Sequence, residues 1–238
     1  MGYFFVDKRN IKDNIITIKG SDFKHIKDVL RSKVGNTIVV VTGNGEEYHS
    51  VITGIKHNFI TAKITRITRK TNESLVYVSI AIAPPKGRRM EWFVEKATEL
   101  GVKEIIPVIT KRSVVFPGSA RLQRWKRIAI SAIKQSERSV MPGISTFVSF
   151  EELLSLSNNY FLKFIAYENE SKDTIEKYLQ GEKREKILAL IGPEGGFEDY
   201  EVDAAKKEGF LPVTLGITKL RTESAGIVAL SRILACVS

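Results

Sequence analysis

The 238-residue sequence predicts an α/β fold in two parts. A mostly parallel sheet with helices on both faces occupies residues 71–238, preceded by a small β-barrel over residues 1–70. Three observations predict it. Short alternating or apolar segments punctuated by glycine fill the first part. Beyond them, the runs at 75–83 and 187–191 are apolar throughout and rich in β-branched or aliphatic residues, as strands buried on both faces are. Helix-period segments separate such runs, and that alternation is the signature of a parallel sheet.

The barrel strands are predicted at 3–6, 15–18, 37–41, 48–53 and 59–67, with glycines between them. One helix interrupts them, capped by Ser21 or Asp22, with Phe23, Ile26, Val29 and Leu30 as its apolar face. The stretch 63–74 is polar and lacks a core pattern, which places the domain boundary near Thr71. The strand at 75–83 ends in Pro84-Pro85-Lys86-Gly87-Arg88-Arg89. A helix follows over 90–100, with Met90, Phe93, Val94, Ala97 and Leu100 on one stripe and Gly101 as its stop. Further strands are predicted at 105–109, 146–148 and 161–167, and Ser149-Phe150-Glu151-Glu152 is a capping box. A basic helix over 119–136 turns Leu122, Trp125, Ile128, Ala129, Ala132 and Ile133 inward. Arg121, Arg124, Arg127 and Lys134 then face either solvent or a phosphate backbone.

Charge is unevenly placed along the chain. Residues 1–70 hold 13 Lys and Arg against 6 Asp and Glu, a net +7, while the rest holds 24 against 21, a net +3. A basic first module is a common footprint of phosphate-backbone binding; the alternative is a well-solvated surface. No apolar run is long enough for a membrane span and no secretory signal is found, so the expected location is the cytoplasm, with no membrane partner. Cys236 is expected as a buried thiol, and with His25, His49 and His57 scattered, no metal site is expected.

The last fifty residues form two strand–loop–helix rounds. The strand at 187–191 stops at Gly192-Pro193-Glu194-Gly195-Gly196-Phe197, and a helix over 198–208 follows, closed by Gly209. A strand at 212–215 and a loop at 216–222 lead to a last helix that is small or apolar on nearly every side, and so buried in a core or against a second subunit. In open α/β sheets ligands collect outside the carboxyl ends of the strands, where these two loops meet. Gly195 and Gly196 permit a positive φ or the close approach of a ligand; the alternative is a plain tight turn. Neither a P-loop nor a dinucleotide fingerprint is present.

These residues also carry a resemblance. Ile191-Gly192-Pro193-Glu194-Gly195-Gly196-Phe197, with Leu215-Gly216 and Leu220-Arg221-Thr222-Glu223-Ser224-Ala225, resembles the paired signature of the RsmE-type 16S rRNA uridine N3-methyltransferases of the SPOUT class. Lys96-Ala97-Thr98-Glu99-Leu100-Gly101, Gln135-Ser136-Glu137-Arg138 with Pro142, and His25 with Val29-Leu30-Arg31 resemble further elements of that family. The resemblance implies a PUA-like barrel that holds RNA and a C-terminal chain threaded into a trefoil knot. It implies S-adenosyl-L-methionine as cofactor and small-subunit ribosomal RNA, free or in the assembled subunit, as partner. It further implies a homodimer paired through the last helix, where Leu230 and Ile233 are the expected interface positions. In the second loop Thr218 and Lys219 stand where the family has arginine and isoleucine, and Ser224 where it has threonine; Lys219 offers a charge from the neighbouring position.

Residue roles come from the same resemblance. Leu190, Ile191, Gly192, Pro193, Glu194, Gly195, Gly196, Leu215, Gly216, Leu220, Thr222 and Ala225 are the implied cofactor contacts, together with the loop after 161–167. Arg31, Lys86, Arg88, Arg124, Gln135 and Arg138 are the implied RNA contacts. N3 of uracil lies on the pairing edge, so the target base has to be unpaired or flipped out. Arg138 and Arg221 are candidates for the uracil or its phosphate, the alternative being ion pairs that fix loops. Glu194 and Glu223 are candidates for the N3 proton, with water as the alternative, and Glu223 can equally serve the amides that start the last helix. The rival readings are a non-catalytic RNA-binding factor in ribosome assembly and a SPOUT methyltransferase with another RNA target.

Overall fold

The computed structural model describes residues 2–69, 72–116, 118–179 and 186–237. The chain divides into two compact units, Met1–Glu73 with Ile130–Met141, and Ser74–Ala129 with Pro142–Ser238. The boundary expected near Thr71 lies outside the described residues. The 130–141 stretch, expected in the second domain, belongs to the first unit.

In that unit β1 (Tyr3–Phe5), β2 (Ile11–Lys12), β3 (Ile15–Lys19), β4 (Thr37–Val41), β5 (Glu46–Ile55) and β6 (Phe59–Arg69) form one sheet in the order β1-β4-β5-β6-β3-β2. All pairings are antiparallel except β1 beside β4. Period-two alternation sends Ile16, Ile18, Ile38, Val40, Ile52 and Ile60 into one core, which Phe4, Phe23 and Ile26 complete. Helix α1 (Gly20–Lys24) runs into a π-helical turn, His25–Val29, in which the Leu30 N–H donates to the His25 carbonyl at 2.9 Å. The wider turn rotates the residues at its end off the expected face. Phe23 and Ile26 are buried, whereas Val29 and Leu30 are exposed. Asp22 is not a helix cap; it is buried, accepting from the Phe5 N–H at 3.1 Å and from Lys134 Nζ at 2.8 Å.

The second unit contains β7 (Tyr77–Ile82), α2 (Arg89–Leu100), β8 (Glu104–Ile109), and the start of α3 (Ser119–Gln135), which ends in the first unit. Then come β9 (Gly143–Ile144), β10 (Val148–Ser149), α4 (Phe150–Leu156), β11 (Leu162–Ala166), α5 (Ile175–Tyr178), β12 (Lys186–Ile191), α6 (Asp199–Lys207), β13 (Phe210–Val213) and α7 (Thr222–Val237). The sheet order is β10-β8-β7-β12-β11-β13, with β9 also beside β8. Every pairing in it is parallel. Leu188 and Leu190 face Phe150 and Leu153 of α4 and Val202 and Ala205 of α6 on one side. On the other side α7 presses so close that a Cβ on Gly226 would stand 2.6 Å from the Phe93 ring of α2 and 3.3 Å from Ile82. Burial on both faces is why β7 and β12 read as unbroken apolar runs.

Two expectations for this unit shift. Gly209, at φ 81°, ends α6 and turns the chain directly into β13, so that strand starts at Phe210, two residues early. Cys236 is exposed near the end of α7. No helix among the described residues is long and apolar enough to cross a membrane. From β7 the chain leads through α2 to β8, and from β12 through α6 to β13, on opposite sides in the sheet order. The topological switch therefore falls between β7 and β12.

Candidate active site

At the carboxyl ends of β11, β12 and β13, loops 192–198 and 214–221 enclose a cavity of about 520 Å³, completed by Ala166, Tyr167, Glu168, Thr222 and Ala225. This lies within the roughly 300–1,000 Å³ of small-molecule sites. Local sequence shapes its walls. A Cβ on Gly192 would meet the Phe197 ring at 2.8 Å; glycine there lets the buried Phe197 fold back against Phe150 and anchor the loop. The Gly196 N–H donates to the Pro193 carbonyl at 2.9 Å and closes a tight turn. Gly196 (φ 71°) and Gly216 (φ 135°) take left-handed backbone, whereas Gly195 does not. Thr222 Oγ1 donates to the Gly192 carbonyl at 3.1 Å, tying α7 to the loop.

Charged groups brace this loop from two directions. Arg112, from the loop after β8, donates through Nε and Nη2 to the two oxygens of Glu198, both at 2.9 Å, and through Nη1 to the Gly195 carbonyl at 2.6 Å. The hydrogen bond from Arg112 holds the Glu198 carboxyl below its ordinary pKa and raises that of Arg112 in turn. Glu201 accepts from the Lys111 N–H and the Glu198 N–H, both at 2.9 Å. On the other side Arg89 pairs with Glu194, and its Nε lies 3.9 Å from Glu223 Oε1. Glu223 is buried, and its Oε2 has no hydrogen-bond partner among the described residues. Lys219 pairs with Glu168 at 3.0 Å, joining the β13 loop to the β11 loop.

Eleven of the twelve residues expected at the cofactor line this cavity; Leu190 does not, being enclosed in β12 one residue before the wall begins. Glu194 is on the wall and Glu223 beside Arg89. Arg221 is exposed, just before α7 and outside the lining. Arg31, Lys86, Arg88 and Gln135 are exposed, and exposed Arg124 pairs with Glu91 at 2.8 Å.

Arg138 is a correction. Expected at the uracil or the RNA backbone, it is 2% exposed and belongs to the first unit. Its Nη2 donates to Glu73 Oε2 at 2.8 Å and its Nε to Oε1 at 3.2 Å. Glu73 Oε1 also accepts from the Ser139 and Val140 N–H groups at 3.2 and 2.9 Å. This is the ion pair that fixes a loop. Sequence reasoning missed Arg89, Arg112 and Glu168. The strand predicted at 161–167 pointed to the loop of Glu168; for the two arginines no local pattern was available, because their partners are about a hundred residues away in the chain.

A family model described as an RNA methyltransferase domain matches residues 72–234, and one described as an RNA methyltransferase PUA domain matches residues 18–65. Fold, site and matched domains together define an RNA methyltransferase of the SPOUT class carrying a PUA domain. Ribosomal RNA small subunit methyltransferase E of Mesomycoplasma hyopneumoniae is 32% identical, over 96% of this chain and 97% of its own. That of Bacillus subtilis is 31% identical, over 91% and 88%. The crystal structure of ribosomal RNA small subunit methyltransferase E from Neisseria gonorrhoeae, bound to S-adenosyl methionine, superposes with a TM-score of 0.87 at 28% identity, covering 99% of this chain and 97% of that one. The chain belongs to the ribosomal RNA small subunit methyltransferase E family.

Proposed function

We propose that this chain transfers a methyl group from S-adenosyl-L-methionine to N3 of a uridine in 16S ribosomal RNA, in the cytoplasm and as a homodimer, with its C-terminal chain threaded as a trefoil knot. The observation that carries the reading is convergence: eleven signature residues, scattered between 191 and 225, line one cavity at the ends of three adjacent strands. The names of the relatives support the substrate, and the ligand of the Neisseria enzyme supports the cofactor.

The lining fits such a cofactor. Glu168 and Glu194 offer carboxylates to its cationic groups, and Ile191, Gly192, Leu215 and Leu220 offer backbone groups to its polar edges. A Cβ on Gly216 would meet no protein atom within 4 Å, so glycine there leaves space in the wall. When bound, the cofactor supplies an electrophilic methyl carbon and departs as a neutral thioether, so the N3–H proton is what remains to be removed. Glu194, on the wall and partly open to solvent, is the group we assign to take that proton and pass it to water. Arg89 holds the Glu194 carboxylate in place. Positioning supplies much of the rate, because donor carbon and acceptor nitrogen have to meet in line.

The test uses small-subunit RNA from a strain lacking the chain. Incubation with the purified protein and S-adenosyl-L-methionine is expected to yield 3-methyluridine by nucleoside mass mapping, and calorimetry is expected to show cofactor binding. A folded protein that binds no cofactor and modifies no uridine would establish the assembly-factor reading instead.

A further inference from the structure

We infer that Lys219 is a phosphate contact switched on by the cofactor: in the free chain Glu168 holds its ammonium, and a cationic ligand in the cavity releases it. The inference rests on the function proposed above and adds an order of binding to it. Lys219 Nζ lies 3.0 Å from Glu168 Oε2, and both residues belong to the wall of the cavity. The pair spans two loops, one after β11 and one after β13. Residues 216–221 are all exposed, and among the described residues this pair is the only polar side-chain contact of 217–221. Lys219 stands where the resembled signature has isoleucine, so the device is a feature of this chain.

Competition for one carboxylate drives the release. Glu168 Oε1 lies 3.3 Å from the position of a Cβ on Gly196, so the carboxylate stands over the glycine loop. Arg112 Nη1 lies 3.9 Å from the same point, but it donates to the Gly195 carbonyl. Among the described residues Lys219 is therefore the one cation paired with Glu168. S-adenosyl-L-methionine brings a sulfonium and an ammonium, and either group beside Glu168 repels the ammonium of Lys219. An ion pair whose lysine side chain is 87% exposed opens readily, which suits a contact that changes partners. After transfer the sulfur is a neutral thioether, and Lys219 regains Glu168 against less competition. While paired, Lys219 and Glu168 present no net charge to a polyanion. Once released, Lys219 presents a positive charge at the rim of the cavity, where RNA has to pass for its acceptor base to reach the methyl group. Linkage is reciprocal, so bound RNA tightens the cofactor by the same factor.

Two ligands that cannot transfer a methyl group test the switch. Sinefungin carries a protonated amine in place of the methylated sulfonium, and S-adenosyl-L-homocysteine carries the neutral thioether. In filter binding with an in vitro transcript of small-subunit RNA, saturating sinefungin is expected to raise the RNA affinity of the full chain about fivefold. The slope of log affinity against log salt is expected to steepen by about 0.7–0.9, the equivalent of one phosphate contact. S-adenosyl-L-homocysteine is expected to produce a much smaller gain. Lys219→Met, at an exposed position, is expected to keep the wild-type melting temperature and to lose the gain. The same variant is expected to bind sinefungin about threefold more tightly by calorimetry, because no lysine competes for Glu168. In a Glu168→Gln background, Lys219→Met is expected to leave sinefungin affinity unchanged. RNA affinity that ignores sinefungin, rises equally with both ligands, or rises as much in Lys219→Met as in the wild type would overturn the switch. Weaker sinefungin binding by Lys219→Met would overturn it too, making the pair a static brace. Either result in a wild-type chain that still makes 3-methyluridine removes the switch alone, whereas a chain that binds neither ligand and modifies no uridine removes the proposed function with it.

Discussion

Gly196 sits where β-carbon geometry is least welcome. Its φ is 71°, a region that costs a residue with a side chain about 1–3 kcal/mol, and a Cβ there would lie 3.3 Å from Glu168 Oε1. Gly196→Val is therefore expected to weaken cofactor binding by calorimetry at least tenfold, while the melting temperature falls by only a few degrees. Affinity equal to wild type would make the loop an ordinary turn. Gly195 differs: its backbone is ordinary and its Cβ would stand 3.4 Å from Arg112 Cδ, so substitution there acts by displacing a brace. Arg138 shows the other limit of reading residues in order. Its carboxylate partner lies 65 positions away, and nothing near Arg138 in the sequence marks it as buried. Arg138→Met removes the bidentate guanidinium from the buried Glu73 carboxylate, a loss of about 3–5 kcal/mol. Adding Glu73→Leu should restore much of it, and urea unfolding of the two single variants and the double variant measures the coupling. A loss under about 1 kcal/mol in the single Arg138→Met variant would refute the pairing.

Elements were legible in the sequence wherever burial alone decides their pattern. β7 and β12 are covered on both faces, so apolar continuity located them, and α2 showed its stripe and its glycine stop. The loops of the site were legible because their glycines are spaced for geometry. The misses have particular causes. The π-turn at His25–Val29 changes the phase of its helix, and no residue type encodes that change. The last turns of α3 are amphipathic whichever unit they pack against, so the sequence could not assign 130–141. At the start of β5 a short-range cluster makes its own prediction. Glu46 accepts from Tyr48 Oη at 2.6 Å, Asn44 Nδ2 at 2.8 Å and Arg69 Nη2 at 3.0 Å. The Tyr48 hydrogen bond above all holds its pKa down to about 2. A depressed folded-state pKa contributes stability that is complete above the ordinary carboxylate range and lost as pH falls through it toward 2. Tyr48→Phe should thus be less stable than wild type at pH 7, with the gap in urea midpoint closing as the pH is lowered through 4 toward 2. A gap independent of pH would show that Tyr48 acts by packing alone.

At the scale of the whole molecule, the proposed homodimer needs a surface, and α7 restricts where it can be. Leu230 and Ile233, expected at the interface, are fully buried against the protein's own core. Glutamate at either would unfold the chain and report nothing about association. Among the positions α7 leaves accessible is a stripe of small residues, Val228, Ser231 and Ala235, with Val228 half-buried and the other two exposed. Their three- and four-residue spacing puts them in line on one helix face, and small side chains let a second helix approach closely. A two-fold axis through this stripe would set it against its own copy, so a single substitution is felt twice. Ser231→Arg with Ala235→Arg adds two charges per chain at exposed positions, which spares the fold but leaves four cations facing one another in the dimer. Sedimentation equilibrium at micromolar concentration is expected to show the wild-type protein at twice its 26.7 kDa chain mass and the double variant at that mass, with unchanged circular dichroism and methyl transfer lost. A variant that remains dimeric would move the interface off this stripe, and a fully active wild-type species at 26.7 kDa would remove the dimer from the mechanism.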